Sequence, residues 1–491
     1  MQNRLLLLLF FIINFTACKS PKMARTAAIL SPDIVIKNVN IIDAKNGLQK
    51  GKTVFVKGNR IGKVGEADGV KFNTDKAQVI DGKGKYLLPG LWDAHVHLVF
   101  EEDLTPAMFR LFLAYGITSV RDTGGQLHLV APEREKARKD PKNTPRVMIA
   151  GPLLDGVPTV YDGSTPFNPH LGIGAKSVEQ ANKNADEMIA AKVDLLKAYE
   201  MLTPEAFKAI LAKGKKAGIP ITGHVPLSMD AIEASNAGMN SMEHMRNLEF
   251  ACATDWEDLL AKRKQMLFDG QAEKGSTLRR NIHSAQRTHA VEHQDPERRA
   301  KVLKVLADNE TWQVPTMSIM MASAERFNVS PEWMETFNLL PPTVKERWTK
   351  GATKFAESPV SESLQAYANW FFEMVGHLKA AEVDIMAGTD CPIFYLTPGY
   401  SLHEELALLV KGGLTPLEAI EAATTKPAEY FKMENELGLV QEGMLADLLL
   451  LDANPLDNIR NTLKINAVIR DGKLHDQAAL DTMIAGLRAG E

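Results

Sequence analysis

The sequence predicts an α/β protein: a TIM-type (β/α)8 barrel with a small β-sandwich built from both chain ends. Three observations carry this. Through the middle of the chain, eight short apolar runs alternate with helical patterns, as a parallel sheet with crossover helices requires. The two ends read instead as period-two strands separated by tight turns. Several helix-to-strand joins place Gly just past the helix, at Gly116, Gly218 and Gly238, where a left-handed cap is expected. A chain of 491 residues buries a sizeable core unaided, and three cysteines are too few for a disulfide scaffold. The net charge of −4, with no long basic run, argues against nucleic acid as a partner.

Taken in order, the chain opens on Arg4 and an apolar run over 5–13, too short for a comfortable membrane span. Ala17 then precedes Cys18. This resembles a bacterial lipoprotein signal, which implies a signal peptide over 1–17, lipidation of Cys18 and a tether over 18–32. The mature protein is then expected in the cell envelope, facing the periplasm or the cell surface and touching membrane through lipid only. A secreted soluble protein with an ordinary signal peptide is the alternative. Residues 33–43 alternate apolar and polar, 53–65 form a hairpin pattern around Gly58-Asn59, and 77–90 add a further strand. These make the first part of the sandwich, 33–88. The second part, 431–475, draws on strand patterns at 438–452 and 464–474, and a helical tail occupies 476–491.

The barrel is expected over 89–430. Its strands are read at 91–98, 117–121, 147–151, 193–199, 220–225, 241–244, 313–317 and 383–390. Helical patterns at 181–192, 204–217, 229–237 and 362–381 lie between them. Residues 250–310 are too long for one loop and helix and are rich in charge. They read as a solvated helical insertion or as a lid over the barrel mouth.

Chemistry concentrates at the predicted strand ends. His95 and His97 are two apart on a strand, so both rings face one side and can share a metal ion. His224, His244 and Asp390 each close a later strand, at the carboxyl end where barrel sites assemble. Lys197 sits within an apolar strand, where a charged amine is costly unless it is paired or modified. Arg121, Tyr199, Arg246 and His403 lie at or beyond strand ends as substrate-contact candidates, and Arg246 could clamp a carboxylate. Tyr161 and His170 fall in the long loop after the third strand. His128, His283, His289, His293, His377 and His475 read as solvated or structural, and Cys252 and Cys391 as packing residues.

Leu-Pro-Gly-Leu-Trp-Asp-Ala-His-Val-His (88–97), the strand lysine, the single strand-end histidines and Gly-Thr-Asp (388–390) together resemble the amidohydrolase superfamily. Gly-Ile-Thr-Ser-Val-Arg-Asp (116–122), Leu-His-Glu-Glu-Leu (402–406) and Ala-Asp-Leu-Leu-Leu-Leu-Asp (446–452) extend the likeness across 33–475, most similar to the prolidase and imidazolonepropionase-like branch. The resemblance implies a binuclear metal centre and hydrolysis of a C–N amide bond in a small dipeptide-like or N-acyl compound. His95, His97 and Asp390 would hold one divalent ion and His224 and His244 the other. Lys197, carboxylated by carbon dioxide, would bridge them, and Asp390 would shuttle the proton. Zinc suits these donors, as do manganese, iron and cobalt. An esterase, lactonase or phosphotriesterase could use the same site. A non-catalytic binding lipoprotein on the same fold is the reading from another class. The loop 151–170 departs from that of dipeptidase-like relatives, so their substrate is not carried over.

Overall fold

The structure is a computed structural model that describes residues 31–66, 76–165 and 168–489. The predicted signal, Cys18 and most of the tether lie outside the described residues. Among the described residues no helix is long and apolar enough to cross a membrane.

The two chain ends meet in one eight-stranded sheet. Strand Ile34–Asp43 pairs antiparallel with Gly47–Lys57, which in turn pairs with Arg60–Glu66. The first half of Ile34–Asp43 also pairs with Gln78–Asp81 and the second half with Tyr86–Pro89, so the sheet divides along this strand. Tyr86–Pro89 carries the C-terminal strand Leu448–Leu451, followed by Ile465–Arg470 and Lys473–Asp476. The far edge returns to the middle, because Ile61 donates its N–H to Met444 O at 2.8 Å. Ile34, Ile36, Val39 and Ile41 share a core with Leu448, Leu450, Ala467 and Ile469. Leu87 joins that core, while Leu88 packs into the larger central one, as period-two alternation dictates. The expected C-terminal helix is present as Gln477–Ala489.

The middle of the chain holds two parallel sheets. One contains Leu91–Val96, Ile117–Asp122 and Arg146–Ile149. The other runs through Leu196–Ala198, Ile221–Gly223, Ser241–Glu243 and Trp312–Val314. Asp194 donates its N–H to Ile149 O at 2.9 Å, which ties the two sheets together. On the other side, parallel bridges Gln313↔Ile385 and Val96↔Cys391 link segment 385–391 to the last strand and to the first.

Two of the expected strands differ from the sequence reading. Residues 383–390 make isolated bridges and no continuous ladder, and the segment ends in a left-handed turn at Asp390, φ 65°. The run expected at 313–317 ends at Val314, since Thr316 is left-handed and Met317 opens helix Met317–Ala324. The helices follow their sequence signals more closely. Helix Pro204–Ala217 starts where the Thr203 hydroxyl accepts from Ala206 N–H and ends at Gly218, φ 71°. Ala206, Phe207, Ile210 and Leu211 form its buried face, so Phe207→Ala would cost about 3–5 kcal/mol.

The insertion forms helices Trp256–Asp269, Gly275–Glu292 and Pro296–Asp308. Lys262 and Lys264 are exposed, but Arg263 between them is buried and donates to Asn247 Oδ1 at 2.8 Å. Leu278 and Ile282 pack with Leu153, Leu171 and Tyr199. One face of the insertion therefore closes over the carboxyl ends of the parallel strands, and the other is solvated.

Candidate metal centre

An enclosed cavity of about 160 Å³ opens at those strand ends. His95, His97, Lys197, His224, His244 and Asp390 all line it. Asp390 Oδ1 lies 3.2 Å from His95 Nε2 and 3.1 Å from His97 Nε2, and its Oδ2 lies 3.9 Å from His244 Nε2. One donor atom each from His95, His244 and Asp390 fall within 4.8 Å of one another. The His224 ring stands 4.9 Å from that of His244.

The outward nitrogen of every one of these histidines is engaged. His95 Nδ1 meets Glu243 Oε2 at 2.5 Å, and His97 Nδ1 meets Gly124 O at 2.8 Å. His224 Nδ1 meets Glu200 Oε1 at 2.5 Å, and His244 Nδ1 meets the Thr316 hydroxyl at 2.6 Å. Partners of this kind fix the tautomer and leave Nε2 as the lone-pair donor, the usual arrangement around a metal. Burial pushes His224 down to about 3 and His244 well below its ordinary value, so both rings are neutral and able to ligate. His95 Nε2 and Asp390 Oδ1 are buried without a hydrogen bond. A buried carboxylate oxygen facing imidazole lone pairs is unfavourable without a cation between them, so the donor set fits a divalent metal.

The backbone is strained to make this arrangement. His244 and Asp390 both adopt left-handed φ, 62° and 65°, where non-glycine residues are uncommon. Gly388 lets the Asp390 segment lie against His95: a Cβ there would stand 2.7 Å from His95 Cβ and 2.8 Å from its backbone N. Asp93 ties the same two segments, accepting from the Thr389 hydroxyl at 2.7 Å and from His95 N–H at 3.2 Å.

Charge is balanced by buried carboxylates. Burial alone would raise Glu243, but Arg121, His95 and Lys197 outweigh it and hold the carboxyl well below its usual range. Lys197 is buried, which brings its amine down to about 8 against the pull of Glu243 and Asp390.

Of the substrate-contact candidates, Tyr199 and Arg246 line the cavity. Arg121 does not fill that role: it is fully buried beneath the site, giving hydrogen bonds to Ala94 O, Ser241 Oγ and Glu243. His403 is also displaced from the site, held by Thr462 Oγ1 and Tyr115 O, each at 2.9 Å. Tyr161 lines the cavity, whereas His170 is exposed. His283 is buried on the insertion with Nε2 2.7 Å from Glu200 Oε2, so its structural role lies directly behind His224. Cys252 and Cys391 are free and buried. Sequence reasoning missed Glu200, Glu243 and Arg279. The first two carried a signal, as carboxylates next to Tyr199 and His244 at the ends of apolar strands. Arg279 carried none.

The Amidohydrolase family profile matches residues 86–475, and the chain belongs to this family. An adenine deaminase of Thermosipho africanus is 36% identical over 90 residues, 18% of this chain and 15% of that protein. An ochratoxinase of Aspergillus niger is 37% identical over 120 residues, 24% of this chain and 21% of that protein. The chain thus spans only a minor part of the length of these relatives. Solved structures align over far more of it. A Xaa-Pro dipeptidase with bound methionine superposes with TM-score 0.63 at 19% identity, over 90% of this chain and 99% of that one. A bottromycin amidohydrolase superposes with TM-score 0.67 at 21% identity, over 92% and 89%. At these identities the likeness is one of fold.

Proposed function

We propose that this protein is a metal-dependent hydrolase that cleaves a C–N amide bond in a small dipeptide-like or N-acyl compound. The observation that carries it is the cavity in which four histidines, each anchored through Nδ1, meet Asp390 and Lys197. His95, His97 and Asp390 would hold one divalent ion and His224 and His244 a second, with zinc the first choice and manganese, iron or cobalt suited to the same donors. Lys197 would carry a carboxylate derived from carbon dioxide and bridge the pair. Its burial favours that, because the modification replaces a costly buried ammonium with an anion among cations.

When bound, such a metal pair would acidify a water and polarise the scissile carbonyl. The chain's own groups do the rest. Asp390 takes the proton of the attacking water and passes it to the departing nitrogen. Glu243, Glu200 and Thr316 keep the imidazoles in register throughout.

Around this site the architecture supports a closed (β/α)8 barrel over 89–430, with 250–310 inserted and a small β-sandwich formed by 33–88 and 431–475. The hydrogen bonds leading from the first parallel strand round to segment 385–391 and back support closure. The N-terminal signal supports a lipid anchor at Cys18 and a place in the cell envelope. Mass spectrometry of the membrane fraction tests this: a diacylglycerol-modified Cys18 at the mature N-terminus is expected, and an unmodified soluble product would refute it.

The activity is tested with metal-loaded protein against N-acyl amino acids, dipeptides, lactones and phosphotriesters. Amide turnover is expected. Strong ester or phosphotriester turnover without amide turnover would overturn the bond assignment. A metal-free protein inert to every class would favour a binding lipoprotein.

A further inference from the structure

We infer that Arg246 and Arg279 form a carboxylate-binding corner of the cavity, so that the substrate carries a free carboxylate beside the scissile amide; this rests on the amide-hydrolase reading. The two arginines come from unrelated parts of the chain. Arg246 follows His244 at the end of a parallel strand, and Arg279 stands on the second helix of the insertion. Both line the cavity, and both lean through Nε on one carboxylate oxygen, Glu200 Oε1, at 3.5 and 3.2 Å.

Glu200 cannot neutralise the pair. It is fully buried, and its two oxygens already serve His224 Nδ1 and His283 Nε2 at 2.5 and 2.7 Å. Two guanidiniums therefore face one carboxylate. The cavity's other carboxylate, Asp390, is committed to His95, His97 and His244. A surplus positive charge in an enclosed site is unfavourable until an anion joins it. The fork geometry of guanidinium selects a planar carboxylate. Tyr161 and Tyr199, with rings 6.0 Å apart, flank the corner, and Arg279 lies 5.9 Å from the Tyr199 ring centroid. At about 160 Å³ the cavity has the size of a small acid. The insertion thereby becomes a specificity element, because it delivers one of the two cations.

The test compares a panel of N-acetyl-L-amino acids with their C-terminal carboxamides, by kinetics and by calorimetric binding, on wild type, Arg279→Gln and Arg279→Lys. A charge-assisted pair predicts roughly a 10- to 100-fold preference of wild type for the acid. That preference should collapse in R279Q through KM, with kcat little changed, and return in part in R279K. Acid and amide handled alike by wild type, or a preference that persists in R279Q, would overturn the proposal. If R279Q does not fold, the wild-type preference and R279K decide alone. If no amide is hydrolysed by any form, the amide-hydrolase reading fails, and the calorimetric difference still decides whether the corner binds carboxylate.

Discussion

Replacing Arg121 with Met should destabilise the whole protein and barely alter substrate recognition. The Arg121 side chain is fully buried, with Nη2 2.8 Å from Glu243 Oε1, Nη1 3.3 Å from Ser241 Oγ, and Nε donating to Ala94 O. Met fills similar volume, so little cavity is created, and the loss is electrostatic. Removing one partner of a buried ion pair typically costs about 3–5 kcal/mol, because the other charge stays buried and unpaired. At roughly 2.1 cal/mol/K per residue a chain this large has an unfolding entropy of about 1 kcal/mol/K, so each kcal/mol moves Tm by roughly 1 °C and a fall of roughly 3–5 °C is expected. Glu243 Oε2 remains on His95 Nδ1, so metal binding should fall far less than on loss of that partner itself, which usually weakens it about 10- to 100-fold. Circular dichroism melts, metal titration and steady-state kinetics read the three effects separately. An unchanged Tm with a raised KM would refute this, and would restore Arg121 as a substrate contact.

Three further outcomes follow from the same geometry. Asp390→Asn should melt like wild type and lose turnover by about 10²- to 10⁴-fold, as loss of a proton shuttle does; an active variant would remove Asp390 from that role. Gly388→Ala should drive its Cβ against His95, lowering stability by about 1–3 kcal/mol and activity with it, whereas normal melting and turnover would mean the segment yields freely. Asp155 is a pH-sensitive element: burial raises its carboxyl to about 7, despite N–H bonds from Val160, Met201 and Gly156. Because the folded value lies above the ordinary 3.8, the folded state favours the proton. The stabilisation is complete below about pH 4 and is lost as pH rises to about 7. Asp155→Asn should remove that part of the slope in Tm against pH, and an unchanged slope would contradict the assignment.

Much of this was legible in the sequence because each signal was local. Period-two alternation marked the terminal strands, and the helical pattern over 204–217, closed by Gly218, is reproduced by the structure to the residue. His95, His97, His224, His244 and Asp390 were readable because strand ends advertise residues that do not belong in an apolar core. What stayed hidden depends on contacts between distant segments. Arg121 and His403 look like site residues on the chain, yet each is consumed by long-range partners, Glu243 in one case and Thr462 in the other. Arg279 and His283 lie on a charged helix whose buried side is set by Glu200, some eighty residues earlier, as the His283 contact spanning 83 positions illustrates. The run at 383–390, which periodicity alone reads as a strand, makes only isolated bridges and ends in a left-handed turn at Asp390.

The most direct test of the metal-centre account is metal content measured together with turnover on one preparation. Mass-spectrometric metal analysis should find about two divalent ions per chain. Removal by chelator should abolish amide hydrolysis, and readdition should restore it in proportion to the metal bound. A protein that hydrolyses amides at full rate with no bound metal, or that binds metal at residues other than these histidines and Asp390, would contradict the account.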